Sequence, residues 1–235
     1  MNAARRLFVV IPALDEERSI GHVISAIPAG LGARVVVVDN GSRDRTAEVA
    51  RALGAIVLRE QRRGYGRACL TGAEYALAQG AQIIAFLDGD FSDHPEELDR
   101  LLEPLVRGEA DLTVGGRLHS GMQRGAMAWH AALGNRVVAR LVDGLYGLSL
   151  NDLGPFRVIH AELFRRLHMR EMTYGWPVEM LAKVARAGGR IVEVPVSYRR
   201  RIGASKVSGT LRGTLGATYF LLTRTVAYLH WRAET

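Results

Sequence analysis

The chain predicts an α/β domain built on a mostly parallel sheet with helices on both faces. Three observations carry this: short apolar runs recur along the first half, helical patterns closed by glycine separate them, and polar clusters follow the runs. The runs are LFVVI (7–11), RVVVV (34–38), AIVL (55–58), QIIAFL (82–87) and DLTV (111–114), each the length of a buried strand. After the first, Ile20, Val23, Ile24 and Ile27 repeat at i, i+3, i+4 and i+7, the stripe of an amphipathic helix. TAEVARAL closes at Gly54 and RACLTGAEYALAQ at Gly80, glycine being the residue that most readily ends a helix. Pro95, followed by Glu96 and Glu97, opens another helix, because proline and acidic side chains suit a first turn. Strands that alternate with helices at this spacing pair in parallel, the crossover helix returning the chain to the starting end of the sheet.

At 235 residues the chain can bury one full core. The expected division is a main domain over 1–206 and a C-terminal apolar helical segment over 207–235. A hydrophobic fraction of 48% and a charged fraction of 23% are those of an ordinary globular protein. The single Cys69 excludes an internal disulfide. The opening MNAARRLFVVIPALDEE lacks a small-residue cleavage site and reads as a strand, not a signal peptide.

Lys and Arg number 31 against 24 Asp and Glu, a net charge of +7, with arginine concentrated in the last third. Such a surface suits a phosphorylated substrate or an anionic membrane. Nucleic acid is not expected, since zinc-finger spacing and base-stacking aromatic patterns are missing and aromatics make up only 7%. No GxxxxGK[ST] occurs, and Gly64-Tyr65-Gly66 lacks the third glycine of GxGxxG, Cys69 standing in its place. A P-loop NTPase and a dinucleotide oxidoreductase are therefore not expected.

In open parallel sheets ligands bind beyond the carboxyl ends of the strands. Polar residues gather there: Pro12 to Glu16 after the first run, Asp39 to Ser42 after the second, and Asp88-Gly89-Asp90 after the fourth. On extended backbone, Asp88 and Asp90 share a face. Two hard carboxylates so placed can hold Mg²⁺ or Mn²⁺ together with a substrate diphosphate. The same three residues also make a common turn.

VVIPALDEE, VVVVDNGSRDRT, RGYGRACLTG and FLDGDFSDHPEEL, in this order, resemble family 2 glycosyltransferases of the GT-A fold. NDLGPFRVIH, YGWPVEMLAKVARAGG and EVPVSYRRRIGASKVS resemble the dolichol- and polyprenyl-phosphate hexose synthase branch. The resemblance implies an inverting, metal-dependent transfer of a hexose from a UDP- or GDP-sugar to a polyprenyl phosphate, at the cytoplasmic face of a membrane. The acceptor could instead be a hydroxyl of a soluble sugar or glycan. It implies a donor nucleotide held by Pro12, Leu14, Glu16, Asp39, Gly64, Arg67 and Asp88. Leu14-Asp15 stands where the family usually has Tyr-Asn, which leaves uridine and guanosine both open.

For the cation the resemblance implies Asp90 as direct ligand and Asp88 as helper, with Asp93 preferred to Ser92 as the third group. Asp93 can equally cap the following helix. Arg117 is implied at donor or acceptor phosphate, and Arg157, Arg201, Ser205 and Lys206 at the acceptor phosphate. Asp152 or Glu179 is the catalytic candidate if a hydroxyl acceptor must lose its proton. Trp176 offers packing or acceptor contact.

The segment VSGTLRGTLGATYFLLTRTVAYLHW is interrupted by Arg212 and Arg224, so no run reaches the ~18 apolar residues of a spanning helix. With Leu215, Tyr219, Leu222 and Val226 at helical spacing, it suits a core helix, a membrane interface or a small membrane partner. Two rivals remain. A non-catalytic adaptor would not need Asp88, Asp90 and Arg117, and a nucleotidyltransferase would want a basic glycine-rich signature where this chain has Pro-Ala-Leu-Asp-Glu.

Overall fold

The computed structural model describes residues 6–117, 121–203 and 211–232, with the backbone alone over 211–217. Seven strands form one sheet in the order β3-β2-β1-β4-β6-β5-β7. They are β1 (Leu7–Ala13), β2 (Arg34–Asp39), β3 (Ile56–Arg59), β4 (Ile83–Phe86), β5 (Leu112–Gly116), β6 (Arg157–His160) and β7 (Ile191–Pro195). All neighbours pair in parallel except β6, which runs antiparallel to both β4 and β5. The first five strands are those expected from the apolar runs, and β6 and β7 add to them.

Alternation along β1 decides which helices cover which face. Phe8 and Val10 point to one side and Leu7, Val9 and Ile11 to the other, as period-two backbone requires. Against Phe8 and Val10 lie α3 (Tyr65–Ala78), α5 (Trp129–Tyr146), α6 (Ala161–Leu167) and α7 (Trp176–Arg186). On the opposite face pack α1 (Ile20–Ala26), α2 (Thr46–Ala52) and α4 (Leu98–Val106). Gly72 lets α3 sit close to the sheet, since a Cβ there would run into Val10 and Val38. Trp176 is core, its ring 6.0 Å from those of both Phe86 and Phe164.

The C-terminal helix α8 (Leu211–Ala227) packs on α5 and α7, with Leu221, Leu222 and the following Trp231 against the main core. Arg224 holds it from the side, Nε 3.2 Å from Glu171 Oε2. Among the described residues no helix is long and apolar enough to cross a membrane.

Candidate active site

Register brings the polar clusters together. Ala13 pairs with Asp39, so β1 and β2 end level, and Gly89 lies against Pro12 and Ala13 at the same end. The loops after β1 and β2 are then sewn to each other. Asp15 donates its N–H to Ser42 Oγ (3.0 Å), Glu16 donates to Thr46 Oγ1 (2.8 Å), and Arg43 donates to Asp15 Oδ1 (2.7 Å). Asp15 takes φ +51°, a left-handed conformation that aspartate tolerates better than most side chains. Asn40 joins a third loop: its amide donates to the carbonyls of Glu60 (3.0 Å) and Arg62 (2.9 Å) and accepts from Gly64 N–H (2.8 Å). Hydrogen bonds from Arg62, with another from Thr71, hold Glu60 at about 2, so that anchor stays ionised.

These loops enclose a crevice of about 600 Å³ at the carboxyl end of the sheet. Pro12, Leu14, Glu16, Gly64, Asp88, Asp90, Arg117 and Arg201 all line it. Asp88 accepts from the Tyr65 hydroxyl at 3.1 Å. Burial, then the neighbouring charge of Asp90, raises Asp88 to about 7. Asp90 is anchored by Ser92, whose N–H and Oγ donate to Oδ1 at 2.8 and 2.5 Å. Its other oxygen faces Arg201 Nη2 at 3.0 Å, and the same guanidinium is 3.5 Å from Glu16 Oε1.

Main-chain bonding puts Arg201 there. Arg199 N–H donates to Ser92 O and Ile202 N–H to Asp90 O, both at 2.9 Å, so the 199–202 segment lies along the aspartate turn. Phe91 in that turn has φ +62°, and the Arg199 guanidinium stacks on its ring at 3.8 Å.

Arg117 follows β5 and is aimed by Asp152. Its Nε and Nη2 donate to the two carboxylate oxygens at 2.7 and 2.9 Å, and its N–H donates at 2.8 Å. Asn135 of α5 also donates to Asp152. Burial alone would raise Asp152, but the Arg117 charge holds it below its ordinary value. Burial likewise opposes the Arg117 charge, and Asp152 more than offsets it. The guanidinium then stacks on Tyr198 at 5.0 Å.

Several expected site residues lie elsewhere. Glu179 is fully buried in α7, paired with Lys183 at 2.7 Å and accepting the N–H groups of Arg170 and Glu171. A carboxylate so occupied closes off a loop and is not aimed at a reacting hydroxyl. Arg157 is buried in β6 and donates to the carbonyls of Gly154, Leu153 and Pro177, with burial lowering it to about 10. Its guanidinium is thus occupied inside the protein, and it does not line the crevice. Asp152 serves Arg117 and is out of reach as a base. Asp93 is fully buried, and burial with the charge of Asp88 pushes its carboxyl up. It does not line the crevice; it sits behind Asp88, whose N–H is 3.5 Å from Oδ2, with Oδ1 buried and unpartnered.

Arg67 and Asp39 also stand back from the crevice. Arg67 donates its N–H to Met172 O, and Asp39 accepts from Ser42 N–H. Their places in the lining go to Arg63 and Asn40. Ser205 and Lys206 lie outside the described residues. Tyr65, Tyr174 and Tyr198 line the crevice unforeseen: Tyr65 opens α3, and an aromatic in a loop, as Tyr174 and Tyr198 are, carries no periodicity that tells which way it faces.

Among the described residues no cluster of three or more His, Cys, Asp or Glu side chains is arranged to hold a metal ion. The Asp88–Asp90 pair nevertheless fits a divalent cation, because burial and the charge of Asp90 disfavour the charge on Asp88 until a cation offsets it. Further ligands would come from substrate oxygens and water.

The model of glycosyl transferase family 2 matches residues 8–172. The chain belongs to that family. It is a glycosyltransferase, and its relatives extend into the polyprenyl-phosphate hexose synthase branch. It is 41% identical over 209 residues to an uncharacterized glycosyltransferase of Mycobacterium tuberculosis, covering 88% of this chain and 92% of that one. It is 31% identical over 230 residues to the undecaprenyl-phosphate mannosyltransferase of Micrococcus luteus, covering 88% and 90%. Among solved structures, glucosyl-3-phosphoglycerate synthase of Mycobacterium tuberculosis with Mn²⁺, UDP-glucose and phosphoglyceric acid superposes with a TM-score of 0.76 at 25% identity, over 97% of this chain and 80% of that one. The sheet and its covering helices are thus the GT-A fold.

Proposed function

We propose that this family 2 glycosyltransferase moves a hexose from a nucleoside diphosphate sugar to a polyprenyl phosphate, by single displacement with inversion at the anomeric carbon. The observation that carries the reading is that Asp88, Asp90, Arg117 and Arg201 line one crevice, Arg201 3.0 Å from Asp90. The loops of Pro12, Leu14, Asn40 and Gly64 offer backbone and side-chain partners to the nucleoside. Asp88 and Asp90 would hold Mg²⁺ or Mn²⁺, which when bound would offset charge growing on the departing diphosphate. Arg117, locked by Asp152, supplies a fixed positive charge that needs no reorganisation during reaction. Arg201 can turn from Asp90 to an incoming phosphate, a bidentate partner for which the guanidinium is well shaped.

A lipid phosphate is already anionic near neutral pH and needs no general base. This agrees with the internal pairing of Asp152 and Glu179. The names of relatives that act on polyprenyl phosphates support the same acceptor. A soluble phosphorylated acceptor is the second reading, favoured by the phosphoglyceric acid bound in the structural neighbour. The protein would then work at a membrane face only if its acceptor did.

Incubation with Mn²⁺ and labelled UDP-glucose or GDP-mannose, with and without short-chain polyprenyl phosphate, separates the two. Lipid-dependent product that is lost in Arg201→Ala supports the proposal. Product on a soluble acceptor, with none on lipid, overturns it.

A further inference from the structure

The turn between α6 and α7, residues 168–175, is gripped by the C-terminal helix on one side and meets the start of α3 on the other. Glu171, its only acid, is buried and divides its carboxylate between the two neighbours. Oε1 accepts from Thr173 N–H at 3.1 Å and from Thr173 Oγ1 at 2.7 Å, and Oε2 meets Arg224 Nε of α8 at 3.2 Å. The N–H groups of Arg170 and Glu171 go to Glu179. Its partner Lys183 donates to His168 O at 2.8 Å and faces the rings of Tyr228 and Trp231, just past α8, at 5.6 and 5.2 Å. The end of the chain thus holds the turn at two points.

Towards α3 the contact is main chain against glycine. Arg67 N–H donates to Met172 O at 3.0 Å. A Cβ at Gly64 would lie 2.2 Å from Met172 O, and one at Gly66 would lie 2.2 Å from Glu171 O. With no side chain of these glycines to absorb a shift of the turn, the start of α3 must follow it. That start belongs to the crevice. Gly64 and Tyr65 line it, Tyr174 of the turn lines it beside them, and Gly64 N–H is tied to Asn40, another lining residue.

We propose that the Glu171–Arg224 ion pair positions the nucleotide side of the crevice, α8 acting through the 168–175 turn on Gly64, Tyr65 and Tyr174. Neither Glu171 nor Arg224 lines the crevice, so both are positioning residues. Without Arg224 the buried carboxylate would keep only the partners that Thr173 supplies. It would then reach for water and draw the turn with it. The inference rests on the nucleoside diphosphate sugar donor proposed above and is independent of the acceptor.

The test uses the full chain as wild type, Arg224→Gln, Arg224→Lys and Arg186→Gln, each at a temperature where near-ultraviolet circular dichroism shows it folded. Two quantities are measured: the Kd for UDP and for GDP with Mn²⁺ by isothermal titration, and amide hydrogen exchange at Arg67 with no ligand present. Arg186 is the control, because it ties α7 to the end of α8 through Trp231 O at 3.3 Å by a bond that leaves the turn out. Arg224→Gln is expected to weaken the better-bound nucleotide about fivefold and to speed exchange at Arg67. Arg224→Lys keeps the charge and should restore most of both. Arg186→Gln should change neither. Either effect of Arg224→Gln without the other overturns the proposal, because the turn and the crevice would then move independently. Equal losses in Arg186→Gln also overturn it, since any loosening of α8 would then suffice. Binding of neither nucleotide by wild type would instead remove the donor reading, and the positioning role with it.

Discussion

Arg201 bridges the two acids of the crevice, its Nη2 3.0 Å from Asp90 Oδ2 and 3.5 Å from Glu16 Oε1. It therefore competes with any cation for Asp90. Arg201→Gln should bind Mn²⁺ alone about tenfold more tightly, the equivalent of about 1.4 kcal/mol, while losing transfer. Isothermal titration without nucleotide reads the first effect. An unchanged Mn²⁺ affinity would take Asp90 out of the cation's ligand set.

Asp152 is expected to position Arg117, not to take a proton. Asp152→Asn should lower transfer yet leave the shape of the pH–rate profile intact; a vanished limb of that profile would restore the base. Asp152→Ala should cost about 3–5 kcal/mol in denaturant unfolding, because Arg117 is left buried and unpaired. The pH dependence has a definite sign. Arg117 holds the folded-state carboxyl below its ordinary 3.8, so its stabilisation is complete above that value and is lost as pH falls through the depressed one. Acid unfolding of wild type should accordingly be steeper than that of Asp152→Asn.

The Lys183–Glu179 pair should prove structural. Lys183→Met leaves Glu179 fully buried without its counter-charge and should destabilise by about 3–5 kcal/mol. Adding Glu179→Gln should recover part of the loss, and kcat per folded molecule should stay near wild type in both. A collapse of kcat in fully folded Glu179→Gln would return that residue to the chemistry.

Gly66 lets α3 begin against the 171–172 backbone, where a Cβ would meet the Glu171 carbonyl. Gly66→Ala should push the Gly64–Tyr65 turn into the crevice and raise KM for the sugar nucleotide about tenfold, with KM for the acceptor little changed. Equal effects on both substrates would mean that the loop serves the whole crevice.

The five strands that begin the sheet were legible because each is an apolar run with turn residues at its ends. β6 was hidden by its composition: Arg157 reads as a solvent-facing charge, yet three carbonyls satisfy it inside the protein. β7 ends in Pro195 and carries Glu193 mid-strand, so it lacks an apolar run. Within the site, residues tied to a strand end or an ordered motif, such as Asp88, Asp90 and Arg117, were readable. Whether Arg63 or Arg67 faces the crevice depends on where α3 starts, and that is set by contacts with residues over a hundred positions away. The roles of Asp152 and Glu179 turned on their partners, which one-dimensional spacing does not reveal.

The main-chain bonds from Arg199 to Ser92 and from Ile202 to Asp90 have a consequence for how such enzymes can diversify. The spacing between the Asp90 turn and the segment that carries Arg201 is set by peptide groups, which every sequence possesses. Substitutions among the crevice side chains can retune which substrate is admitted while the approach of these two segments stays the same.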